Sequence, residues 1–84
     1  MYSIEFTKAA VKALASMPRT TRELVKSKIV ALAANPFDVS HVKKLVGRPG
    51  YRLRVGDWRV IYTLESGRLV VLVLDIGPRG GIYQ

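Results

Sequence analysis

Tyr2, Ile4 and Phe6 alternate with Ser3 and Glu5, the pattern of a half-buried strand. Thr7 then stands where a helix cap belongs. A helix over about Lys8–Ser16 would line up Ala10, Val11, Leu14 and Met17 as one apolar stripe. Pro18 stops it. Thr20 and Glu23 have capping-box spacing, so a second helix is expected from there to about Ala34, burying Leu24 or Val25, then Ile29 and Leu32. Asn35-Pro36 ends it, because a residue before proline is pushed out of the helical region. Two helices joined by so short a turn form a helical hairpin.

After residue 42 the period shortens from near four to two. Lys44–Val46 reads as a short strand before the Gly47-Arg48-Pro49-Gly50 turn. Tyr51–Val55 and Trp58–Leu64 are strands on either side of Gly56-Asp57, a linker suited to a tight hairpin. After a turn at Glu65-Ser66-Gly67-Arg68, the apolar run Leu69–Ile76 has the look of a central strand covered on both faces. The order is strand, helix, helix, then three or four antiparallel strands. That is an α+β fold, with the helices packed on a curled sheet in a single domain over 1–84.

Composition narrows the possibilities. Fourteen Lys and Arg against six Asp and Glu give 84 residues a net charge of +8, and 49% hydrophobic residues exclude a disordered basic tail. No apolar run approaches the roughly 20 residues that span a bilayer. The N-terminus alternates rather than following the charged-then-apolar design of a signal peptide. Without cysteine there is no disulfide, thiolate nucleophile or cysteine metal site, and a single histidine makes a zinc site unexpected. The expectation is a cytoplasmic, basic domain with no cofactor, whose partner is acidic, nucleic acid foremost.

The charge is concentrated. Residues 43–59 hold Lys43, Lys44, Arg48, Arg52, Arg54 and Arg59 against Asp57 alone. A two-residue hairpin at Gly56-Asp57 sets Val55 against Trp58, Arg54 against Arg59, Leu53 against Val60, Arg52 against Ile61 and Tyr51 against Tyr62. One face then carries the apolar side chains and the other carries Arg52, Arg54 and Arg59 together. Like charges directly opposite on a ladder cost up to about 1 kcal/mol. A sequence selected for stability alone would place Glu or Thr against Arg54, so the cluster points to a polyanionic ligand, with Lys43, Lys44 and Arg48 as further positions to bind it. Other candidates are weaker. His41 reads as a surface histidine with only Asp38 nearby, and Trp58 falls on the core face. The carboxylates are too scattered for a two-metal nuclease or a glycosidase. The serines lie in no nucleophile motif. Gly77, Gly80 and Gly81 precede no helix and so make no phosphate loop. Arg79 and Tyr83, in the tail, are placed to reach over the sheet.

The string from Tyr51 to Tyr62, followed by Ile76-Gly77-Pro78-Arg79 and Ile82-Tyr83, resembles the RelE side of the RelE/ParE toxin superfamily over nearly the whole chain. The resemblance implies the toxin of a type II toxin–antitoxin pair, an endoribonuclease that cleaves mRNA in the ribosomal A site. Its implied partners are a cognate antitoxin, in a toxin–antitoxin hetero-oligomer, and mRNA on the ribosome, with no membrane. The implied catalytic positions are Arg52, Arg54, Arg59, Arg79 and Tyr83. Arg52 and Arg54 are arginines where the best-known pattern has lysines; guanidinium clamps phosphate well but does not shuttle protons. The implied reaction is metal-independent: the RNA's own 2′-hydroxyl attacks the adjacent phosphate, with Tyr83 orienting or deprotonating it. Two alternatives stand beside this reading: a ParE-like toxin that inhibits gyrase, and a non-catalytic basic domain that binds nucleic acid.

Overall fold

The computed structural model describes residues 1–78. The chain forms β1 (Ser3–Phe6), α1 (Lys8–Ala15), α2 (Arg19–Ala34), β2 (Val42–Lys44), β3 (Tyr51–Val55), β4 (Trp58–Glu65) and β5 (Val70–Pro78). Together the strands make one sheet in the order β1-β5-β4-β3-β2. All neighbours are antiparallel except β1, which runs parallel to β5 with Ser3 beside Val70 and Phe6 beside Val73. The expected α+β class and element order hold.

Thr7 caps α1 as its position suggested. Its side-chain oxygen accepts from the Ala10 N–H at 3.2 Å, and its hydroxyl donates to the Leu74 carbonyl, tying the start of the helix to β5. At α2 the expected capping box does not form. The helix begins one residue earlier, at Arg19, behind Pro18, with no side-chain cap. The proline fixes the backbone at φ −56°, and Arg22 serves the other helix instead. Its Nε and one terminal nitrogen donate to the Leu14 and Met17 carbonyls, each at 3.1 Å, closing the end of α1.

Both helices pack on one face of the sheet. Ala10, Val25, Ile29 and Leu32 are buried against Leu53, Val60, Tyr62, Val71 and Val73. Within the expected stripe of α1, Val11 is exposed; in α2 the inward residue is Val25, while Leu24 is exposed. A bulge at Leu74 pairs Ile61 with Asp75 and then Tyr62 with Val73. The extra residue re-phases β5, so Val71, Val73 and Ile76 all face the helices despite their uneven spacing. On the other face Leu72 and Leu74 stay half-buried, so β5 is interior in the sheet but fully covered on only one side. The short strand expected at Lys44–Val46 lies two residues earlier, because Leu45–Gly50 is a closed connection in which the Leu45 N–H donates to the Gly50 carbonyl at 3.0 Å. Among the described residues no helix is long and apolar enough to cross a membrane.

Candidate functional site

The hairpin of β3 and β4 has the register that a two-residue turn dictates: Val55 opposite Trp58, Arg54 opposite Arg59, Leu53 opposite Val60, Arg52 opposite Ile61. Helices cover the apolar side, so the arginines are left on the other. β2 extends the arrangement, since Lys43 lies beside Arg52. Two rows thus cross the sheet, Lys43-Arg52-Ile61-Asp75 and Arg54-Arg59-Gly77. Arg54 is exposed, while Arg52 and Arg59 are half-buried. The Nε of Arg59 is buried with no hydrogen-bond partner among the described residues.

Charge neutralisation happens elsewhere. Arg68 pairs with Glu5 at 3.0 Å and with Glu65 at 3.1 Å, at the β1 side of the sheet. Among the described residues Lys43, Arg52, Arg54 and Arg59 have no carboxylate within 4.0 Å. Asp75, in the same row as Arg52, turns its Oδ1 to accept from the Ile76 N–H at 2.8 Å. The cationic face is therefore left open to an outside anion, and guanidinium groups suit phosphate oxygens through paired N–H donors.

Two adjoining open depressions shape this face. One, of about 400 Å³, is lined by His41, Arg54, Gly56, Asp57 and Arg59. The other, of about 280 Å³, is lined by His41, Lys43, Arg52 and Arg54. The structure therefore brings together Arg52, Arg54, Arg59 and Lys43 among the residues expected from sequence. Lys44 lies beside Tyr51 on the opposite pleat and borders a smaller depression at the β2 edge, shared with Lys43, Leu45, Val46 and Arg52. Arg48 stays in the exposed β2–β3 connection, outside the walls of these depressions. Arg79 and Tyr83 lie outside the described residues.

His41 was set aside in the sequence and belongs here by position. The Arg54 N–H donates to its carbonyl at 3.0 Å, and the residue borders both depressions. The signal was the register of β2. With that strand at Val42–Lys44, the residue before it must fall beside Arg54.

Comparison with known proteins completes the picture. The family described as ParE toxin of type II toxin-antitoxin system, parDE, matches residues 4–83. The chain is 30% identical over 81 residues to the mRNA interferase toxin RelE of Escherichia coli K12, covering 93% of this chain and 83% of that protein. It belongs to the RelE/ParE toxin superfamily. Solved structures agree. The archaeal RelE–RelB complex from Pyrococcus horikoshii OT3 superposes with a TM-score of 0.81 at 32% identity, over 96% of this chain and 98% of that one. The intact E. coli RelBE toxin-antitoxin complex gives 0.80 at 27% identity, over 93% and 96%. In this RelE/ParE toxin the described part of the candidate site is built from β3, β4, Lys43 of β2 and His41 just before that strand.

Proposed function

We propose that this toxin is an mRNA interferase, a single domain over 1–84 that cleaves messenger RNA at the ribosomal A site in the cytoplasm and is restrained by a cognate antitoxin in a hetero-oligomer. The observation that carries this reading is Arg54 standing directly opposite Arg59, beside Arg52 and Lys43, with none of them neutralised by a described carboxylate. The name of the E. coli relative and the RelB complexes of the structural neighbours support it.

The reaction is transfer of the phosphate to the RNA's 2′-oxygen, giving a 2′,3′-cyclic phosphate and a 5′-hydroxyl. Such a step needs stabilisation of the charge that builds on the phosphate oxygens more than it needs a protein nucleophile. Arg52, Arg54 and Arg59 hold those oxygens, and Lys43, Lys44 and Arg48 hold the flanking backbone. Arg79 acts at the scissile phosphate or leaving group, and Tyr83 at the attacking hydroxyl. The reading is metal-independent; among the described residues no group of three or more His, Asp or Glu is placed to hold a metal ion.

The test is induced expression followed by sequencing of RNA 5′ ends and analysis of the 3′ termini. Cuts within translated messenger ending in cyclic phosphate are expected; 3′-hydroxyl ends would mean that water is the nucleophile. Arg54→Glu is expected to lower cleavage by about 10²-fold or more, the usual effect of removing one transition-state donor. Its thermal stability should hold or rise slightly, because the repulsion from Arg59 is replaced by attraction. The ParE description of the family favours a second reading, gyrase inhibition. A DNA-relaxation assay separates the two.

A further inference from the structure

The arginines of the site can bind and stabilise charge but cannot accept a proton, because guanidinium is already fully protonated. Imidazole is the side chain whose charge changes between pH 5 and 8 and the one most often used to move protons in catalysis. His41 is the histidine of this chain, and it lines the same depression as Arg54, Asp57 and Arg59. It also borders the depression formed with Lys43 and Arg52. Its side chain is exposed, within reach of a bound strand. Its backbone sits at φ 66°, a left-handed conformation uncommon outside glycine, and is pinned by the hydrogen bond from the Arg54 N–H to its carbonyl. Any backbone held there aims the imidazole from a fixed point beside the arginine pair.

Resting on the nuclease reading, we infer that His41 is the general base of the cleavage. The neutral imidazole takes the proton of the 2′-hydroxyl as the 2′-oxygen forms its bond to phosphorus. The bond from phosphorus to the 5′-oxygen breaks, and its electron pair leaves with that oxygen. The 5′-oxygen takes a proton from solvent, and the imidazolium returns its own to solvent. Arg54 and Arg59, facing His41 across the depression, hold the phosphate oxygens during the transfer.

The other groups facing His41 are Lys43 on β2, Arg52 on β3, Asp57 in the β3–β4 turn, Lys28 on α2 and Asp38 in its own loop.

The experiment compares the full chain with His41→Asn and His41→Gly on ribosome-bound messenger from pH 5.5 to 8.5. Asparagine enters the left-handed region readily and glycine without strain, so both variants should keep the wild-type melting curve and RNA affinity. Cleavage by the wild-type chain should rise with pH across the interval. His41→Asn should lose about 10²- to 10⁴-fold in rate together with that rise. Added imidazole should restore part of the rate to His41→Gly. An Asn variant with wild-type rate and pH profile, or a Gly variant indifferent to imidazole, overturns the assignment while the nuclease reading stands. A wild-type chain that cleaves no RNA overturns both.

Discussion

Tyr62 is fully buried, with its ring stacked on Tyr51 at 5.5 Å between centroids and 24° between planes. Its hydroxyl has no hydrogen-bond partner among the described residues, and burial, with a smaller contribution from Tyr51, pushes its pKa up to about 12. The native state keeps this proton while the unfolded chain releases it above about pH 10. Native protein then binds more protons than unfolded, so stability is lost as pH rises from 10 towards 12, by up to roughly 3 kcal/mol. Tyr62→Phe removes a group whose desolvation nothing offsets. It should hold or gain up to about 1 kcal/mol near neutral pH and lose less than the wild type between pH 9 and 11. Urea unfolding of both proteins at each pH checks this, and a loss of several kcal/mol at pH 7 would contradict it. Alternation in the sequence was enough to turn Tyr62 inward. It could not show that the hydroxyl lacks a partner, because that depends on which atoms the helices bring to its far end.

The β2–β3 connection is the element-scale counterpart. Gly50 has φ 114°, and a Cβ there would meet the Tyr62 carbonyl oxygen at 2.9 Å. Gly47 also has positive φ, 76°, but faces open space. Gly47→Ala therefore meets only backbone strain, about 1 kcal/mol, whereas Gly50→Ala adds a clash with β4 backbone and should cost about 2–3 kcal/mol or more. Chemical denaturation of the two variants gives the difference directly; equal losses would mean that the close approach is relieved by a small shift. The hairpin itself was legible to the residue pair, since a two-residue turn leaves one register and the apolar alternation agrees with it. β2 was not. Three residues carry too little alternation to set their own phase, and the strand is placed by its pairing with β3. That two-residue offset is also why His41 looked remote from the arginines. The start of α2 was misplaced for a related reason: Thr20 and Glu23 have the right spacing, but Pro18 and the contacts of Arg22 with α1 decide where the turn goes.

Over the whole molecule the net charge is +8. Arg68 is held by Glu5 and Glu65, whereas Lys43, Arg52, Arg54 and Arg59 have no carboxylate within 4.0 Å among the described residues. Association with an acidic antitoxin or with RNA should therefore be steered by charge, with an on-rate that falls about tenfold or more as salt rises from low to several hundred millimolar. Stopped-flow measurement across that range checks it, and a flat profile would place binding on apolar contact instead. Topology adds a temporal consequence. β1 pairs in parallel with β5, and Thr7 reaches Leu74 across 67 positions of sequence. While the chain is being synthesised, β1 has no strand to join and the arginine hairpin has one side of β4 unpaired until β5 is made. The sheet beneath the arginine hairpin closes only once β5 has been made, so a nascent chain interrupted before β5 lacks the central strand that both β1 and β4 pair with.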